Sequence, residues 1–135
     1  MQNVMDETNR GFMDRRAANH IPLTPLSFIA RIAAIYPDRE AVVYHDRRYS
    51  WQQTYERCVK LADALIKAGL KKGEVVTIMC PNTPEMVEAH FGVAMAGGVL
   101  NTMNTRLDTD TISYILDHAE TRFLLTDTAF SDQMA

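Results

Sequence analysis

The sequence predicts an α/β fold, in which βαβ units build a parallel sheet preceded by a helix and a β-hairpin. Three observations lead there. Val75–Cys80 (VVTIMC) is a continuous apolar run of strand length, the composition of a strand buried on both faces of a parallel sheet. Downstream of it, segments of helical period alternate with short β-prone segments, and the loops between them are brief. Upstream, two capped amphipathic stretches bracket two β-prone pieces joined by a tight polar turn. Strands alternating with helices in this way form right-handed crossovers between parallel neighbours.

In chain order, residues 1–23 lack periodicity and are expected to form an extended or poorly ordered arm, with residues 24–135 as the folded unit. Thr24 caps a helix whose first position is Pro25, where the missing N–H costs nothing. Leu26, Ile29, Ile32, Ala33 and Tyr36 follow at helical spacing, and Pro37 stops the run. Ala41–Tyr44 and Arg48–Ser50 then flank a turn at His45-Asp46-Arg47. Ser50 and Gln53 have capping-box spacing and open a longer helix. Its apolar stripe reads Trp51, Tyr55, Cys58, Val59, Ala62, Leu65 and Ile66, its polar face carries the pairs Glu56/Lys60 and Asp63/Lys67, and Gly69 ends it. After the Val75–Cys80 strand, Pro81–Pro84 breaks the chain before a helix over Glu85–Ala96. Gly92 allows that helix to pack closely, and Gly97-Gly98 turn the chain sharply. Val99–Met103 is the next strand, Asp108 or Thr109 caps a helix over Thr111–Ala119, and Arg122–Thr126 is a last strand before a turn at Asp127. A sheet that stops there is expected to have an uncovered side and an open edge.

Composition narrows the function classes. The 135 residues suit one folded unit, with 47% apolar and 23% charged side chains. Fourteen basic residues against 17 acidic ones give a net charge of −3 without long runs of either sign. That excludes a generally basic nucleic-acid binder and an acidic disordered tail. Cys58 and Cys80 form no CxxC pair, and with four scattered histidines they cannot supply a structural zinc site. They are expected to be reduced, buried thiols. No stretch reaches the roughly 18 apolar residues of a membrane span. The N-terminal segment has no secretory apolar core, and Asp6, Glu7 and Asp14 argue against a transit peptide. These features lead to the cytoplasm as the expected compartment.

In open α/β sheets ligands sit outside the carboxyl ends of the strands. The loops to inspect are therefore Cys80–Pro84, Met103–Arg106 and Asp127–Thr128. None is a glycine-rich phosphate cradle. Gly92 and Gly97 have Walker-like spacing, but Gly98-Val99 follows them and they lie in and at the end of a helix. His90 and His118 are lone histidines without a second ligand one turn away, and Ser50 is a cap without a base. Two features remain. Asn82 and Thr83 stand at a helix N-terminus, where backbone donors can hold an anion, although Thr83 as cap and Pro84 as start explain the same residues. Asn101, Asn104 and Arg106 stand at a strand end, where an arginine meets phosphate or carboxylate, although a solvated Arg106 beside loop-satisfying asparagines explains the same residues. No catalytic centre is visible, and no metal ligand.

The wording of the sequence adds more than its physics. PLTPLSFIARIAAIYPDREAVVY, then YSWQQTYERCVKLADAL, then the block from GEVVTIMCPNTPE through AGGVLNTMNTRLDTD to RFLLTD resembles the opening of AMP-forming acyl-CoA synthetases, of the adenylate-forming superfamily. It is most similar to the branch for short- and medium-chain acids, including plant-type acyl-activating enzymes and bacterial methylmercaptopropionate-CoA ligases. The resemblance implies an incomplete part of a large N-terminal domain. It also implies a small carboxylic acid as substrate, with ATP, Mg2+ and coenzyme A, and leaves room for a homodimer. The family's phosphate loop, its aromatic-Thr-Glu segment, its ribose-binding Asp and its C-terminal catalytic Lys have no counterpart in these residues. The fragment alone is therefore expected to be inactive and to bind none of these molecules tightly. Arg106 is the one residue that the resemblance offers as a coenzyme A contact. The alternative expectation is a non-enzymatic module that pairs through its open sheet edge.

Overall fold

A computed structural model describes residues 20–21 and 23–133 of the chain. The arm expected over residues 1–23 therefore falls, for 1–19 and 22, outside the described residues.

Helix α1 (Pro25–Ile35) starts as predicted, with Thr24 extended and its hydroxyl accepting from the Ser27 N–H. The Ser27 hydroxyl donates back to the Thr24 carbonyl at 2.7 Å. Ile29 and Ala33 point inward, while Phe28, Ile35 and Tyr36 remain about half exposed. Strands β1 (Glu40–Tyr44) and β2 (Arg47–Ser50) form a separate two-stranded antiparallel sheet. Tyr44 faces Arg47, so the turn is His45-Asp46 and one residue shorter than the sequence predicts. His45 takes φ +50°, a left-handed conformation that histidine tolerates better than β-branched residues, and two-residue loops match the twist of hairpin strands.

Helix α2 (Trp51–Lys67) opens on the predicted capping box. The Ser50 hydroxyl accepts from the Gln53 N–H at 3.3 Å, and the Gln53 side-chain oxygen accepts from the Ser50 N–H at 2.9 Å. Its buried line, however, is Thr54, Cys58, Ala62 and Leu65. Val59 and Ile66 of the expected stripe are 42% and 54% exposed. Thr54 can occupy the inner face because its hydroxyl donates to the Ser50 carbonyl at 2.8 Å, which removes the cost of burying it. Of the two expected ion pairs, Asp63–Lys67 forms at 2.6 Å. Glu56 instead accepts from Gln52 Nε2 at 2.8 Å.

The main sheet is parallel and three-stranded, in the order β4 (Val99–Thr102), β3 (Val75–Met79), β5 (Thr121–Thr126). Helix α3 (Pro84–Met95) links β3 to β4, and α4 (Thr109–His118) links β4 to β5. Cys80 leaves the predicted strand for the following loop. Asp108 wins the cap of α4, its carboxylate accepting from the Thr111 N–H at 3.0 Å, so the helix begins two residues earlier than expected. A 3-10 turn over Thr128–Gln133 follows β5.

Strand alternation divides the core. Val76 and Ile78 pack with Leu65, Leu70, Val93 and Ala89 of the α2–α3 side. Met79 packs on the other face with Met103 and Ile112 of the α4 side. Thr77, fully buried in the central strand, shares a 2.7 Å hydrogen bond with Thr121 and accepts from the Asn101 amide at 3.1 Å. The three strands are thus tied crosswise by a satisfied polar bridge. Among the described residues β4 and β5 each pair on one side only, which leaves the expected open edges.

Both cysteines are free and buried. Burial pushes the Cys58 thiol up to about 11 and raises that of Cys80. Because the thiolate is the reactive form, a thiol reagent at pH 8 is expected to label neither cysteine in the native chain and both after unfolding. Rapid labelling of the native chain would contradict this packing.

Candidate functional site

The carboxyl ends of β3 and β4 open onto one cleft of about 690 Å³, within the roughly 300–1,000 Å³ of small-molecule sites. Asn82, Met86 and His90 line it from the loop after β3 and from α3, and Thr102, Asn104 and Thr105 line it from the end of β4. Arg106 is exposed in the turn just beyond, and its N–H donates to the Asn104 side-chain oxygen at 3.0 Å. That local bond fixes the loop at the cleft wall. Two of the sequence candidates are thereby brought together, Asn82 and Asn104, with Arg106 beside them. Asn101 is not: its amide turns into the sheet toward Thr77, because a buried strand position demands a partner for it.

Thr83 also departs from expectation. It holds the cap position of α3, but its side chain makes no capping hydrogen bond to the helix backbone. Its backbone carbonyl accepts from Met86 and Val87 instead. Pro84 at the first helical position and Glu85 in the first turn start the helix, the acid complementing the helix dipole.

A charged cluster, invisible in the linear sequence, fastens this end of the molecule. Arg57 of α2 grips Glu88 of α3 with Nε to Oε1 at 2.5 Å and Nη2 to Oε2 at 3.1 Å. The Glu88 side chain is only 10% exposed, so this forked pairing is what makes its burial tolerable. Arg57 also lies 3.6 Å from Glu85 and stacks over the Tyr49 ring at 4.9 Å. Arg47 of β2 pairs with Glu85 and donates to the Tyr49 hydroxyl at 2.9 Å. The hairpin, α2 and the first turns of α3 are thus held as one wall. The signal for Glu88 was its place on the line Pro84, Glu88, Ala89, Gly92, Val93, an acid on an otherwise apolar inner face.

The Arg47 hydrogen bond holds the Glu85 carboxyl down at about 2. A carboxyl depressed in the folded state stabilises fully above its unfolded value near about 4.3 and loses that contribution as pH falls toward 2. Glu85→Gln is therefore expected to lower stability at pH 7, modestly because both side chains are over 40% exposed. The gap from the unsubstituted chain should close between about pH 4.5 and 2. Denaturant unfolding across that range checks it, and a gap unchanged at pH 2 would contradict the pairing.

His90 Nδ1 bonds the Met86 carbonyl at 2.8 Å, and His118 stacks on Tyr114 at 5.6 Å. Among the described residues no group of three or more His, Cys, Asp or Glu is placed to hold a metal ion, so no Mg2+ site is assigned to them. Nor is any of their helices long and apolar enough to cross a membrane.

A family model described as AMP-binding enzyme matches residues 29–135. The chain belongs to that family. It is 48% identical over 113 residues to the peroxisomal benzoate–CoA ligase of Arabidopsis thaliana, covering 84% of this chain and 20% of that protein. It is 46% identical to the peroxisomal butyrate–CoA ligase AAE11 of the same plant, with 84% and 20% covered. The trans-cinnamate:CoA ligase of Petunia hybrida, also peroxisomal, is 46% identical, with 82% and 19% covered. Among solved structures, the N-terminal domain of FACL13 from Mycobacterium tuberculosis superposes with a TM-score of 0.77 at 25% identity, over 81% of this chain and 28% of that one. The N-terminal subdomain of Klebsiella oxytoca NpsA gives 0.71 at 26% identity, over 77% and 27%. The chain spans about a fifth of the length of the curated relatives it matches. The parallel sheet with its preceding helix and hairpin is therefore part of an adenylate-forming N-terminal domain. The expectation of a cytoplasmic protein is overturned by these relatives, whose names place them in the peroxisome. A compartment is set by a short receptor-read address, which composition and fold do not express.

Proposed function

We propose that the protein carrying this chain is an acid–CoA ligase. A carboxylate oxygen attacks the α-phosphorus of ATP, the bond to the β-phosphate breaks and pyrophosphate leaves. The thiol of coenzyme A then attacks the acyl carbon of the adenylate and AMP leaves. The observation that carries this is the near-half identity, over most of the chain, to proteins named as CoA ligases for benzoate, butyrate and cinnamate. The substrate is a short- or medium-chain carboxylic acid, in keeping with butyrate and 2-methylpropanoate among those names. Magnesium offsets the triphosphate charge in such a reaction.

Within that protein, residues 24–135 act as scaffold and cleft wall. Arg106, exposed beside Asn104 at the strand end, meets a phosphate of coenzyme A, the contact for which a free guanidinium is suited. The chain alone is inactive. Pyrophosphate release from ATP, measured with a panel of C2–C10 acids for the full gene product and for these 135 residues alone, tests both statements. Release by the gene product and none by the chain is expected. Silence from the gene product with every acid would refute the ligase assignment, and turnover by the chain would refute its inactivity.

A further inference from the structure

We propose that Arg57 is a positioning residue: through Glu88 and Glu85 it fixes the turn Cys80–Thr83 for the reaction of the whole protein. On the acid–CoA ligase assignment, and resting on it, that reaction is acyl-CoA formation. The first observation is how the helices begin. Among the described residues, α1, α2 and α4 each start on a side chain of their own sequence, Thr24, Ser50 and Asp108, that accepts from a free backbone N–H. Helix α3 does not, since Thr83 makes no such bond. The turn before it is closed by the Thr83 N–H, which donates to the Pro81 carbonyl at 2.7 Å. That bond is internal to the turn and does not tie it to its surroundings.

The tie comes from α2 and the hairpin. Glu85 and Glu88 stand three residues apart, on one face of the first turns of α3. Arg57 takes both Glu88 oxygens, at 2.5 and 3.1 Å, and lies 3.6 Å from Glu85. Arg47 holds Glu85 as well. The Tyr49 ring lies 4.9 Å from the Arg57 guanidinium and 5.5 Å from that of Arg47, which restrains both. A guanidinium serves two carboxylates at once in this way, whereas an ammonium is a point donor. The second observation is where the turn stands. Cys80 lines two cavities: the cleft of about 690 Å³, together with Pro81 and Asn82, and another of about 250 Å³, together with Thr83, Glu85 and Glu88. The second lies at the ends of β3 and β5, beside Leu125 and Asp127. The turn is thus a partition with side chains on both sides, and the helix that carries it is anchored from outside instead of by its own cap.

The test pairs hydrogen–deuterium exchange with steady-state kinetics on the full gene product, before and after Arg57→Lys. Lysine keeps the charge beside buried Glu88 but loses the fork. Amides of residues 80–88 are expected to exchange about three- to tenfold faster, the effect of one lost hydrogen bond, while the rest of the chain keeps its protection. At saturating ATP, acid and coenzyme A, kcat should fall about tenfold through misplacement, with the ATP KM within about twofold. Glu85→Gln, at an exposed position, removes the other arm and should loosen the same turn. Thr121→Val is the control. It removes the 2.7 Å bond to Thr77 from the amino end of β5, far from the turn, and should lower stability with neither effect. Unchanged exchange at residues 80–88 in Arg57→Lys, protection lost evenly over the whole chain, or a loosened turn with an undiminished kcat would each overturn the inference. So would a kcat that falls as far in Thr121→Val. A gene product silent with every acid refutes the ligase assignment alone, because the exchange measurement still decides whether Arg57 holds the turn.

Discussion

Met79→Ala is expected to lower the unfolding free energy by about 2–5 kcal/mol, the range for truncating a large, fully buried side chain. Met79 has no exposed surface and lies on the central strand, in one buried cluster with Met103 and Ile112. Removing it leaves a void where the sheet, the end of β4 and α4 meet, and the flanking strands prevent that void from closing. Against a total stability of about 5–15 kcal/mol, such a loss brings the chain near its unfolding threshold. Met79→Leu keeps most of the volume and should cost less than about 1.5 kcal/mol. Urea unfolding of both variants decides the matter. An alanine variant within about 1 kcal/mol of the unsubstituted chain would mean that this half of the core is not packed as described.

Gly92→Val acts in the opposite sense, by overfilling, and is expected to cost about 1–3 kcal/mol or more. A Cβ at Gly92 would stand 2.8 Å from Leu61 Cδ2 and 3.0 Å from the Cys58 carbonyl oxygen. The leucine methyl can swing aside, but the carbonyl belongs to the backbone of α2 and moves only with the helix. Valine adds two further carbons in that contact. Alanine is the informative intermediate, because it also recovers about 1 kcal/mol of helix propensity relative to glycine and so partly offsets its own clash. Ala64→Val, on the exposed face of α2, controls for the helix cost of a β-branched residue. If Gly92→Val were no worse than Ala64→Val in the same unfolding experiment, the close approach of α2 and α3 would be disproved.

What the sequence made legible was local. Thr24-Pro25, the Ser50–Gln53 box and the apolar run of β3 each encode their structure within a few residues, and each is found where expected. What it hid was non-local. Arg57 and Glu88 lie 31 positions apart and Arg47 and Glu85 lie 38 apart, so no pattern in either helix announces the pairs. Hydropathy locates Cys58, Ala62 and Leu65 on the inner face of α2 but not Thr54, since a threonine that bonds its own helix can be buried while Val59 and Ile66 stay outside. Asn101 follows a related rule. A strand-end asparagine looks available to a ligand until the register places it beside Thr77. His90, a lone histidine in the linear sequence, borders the cleft only because the fold sets α3 beside the end of β4.

The most direct measurement for the acid–CoA ligase assignment is mass-spectrometric detection of the thioester made by the full gene product from ATP, coenzyme A and butyrate or benzoate. The account predicts an acyl-CoA that appears only when ATP, acid and coenzyme A are all present, together with AMP in equal amount. ATP turnover to ADP, or AMP formation that never yields a thioester with any acid of the panel, would contradict it.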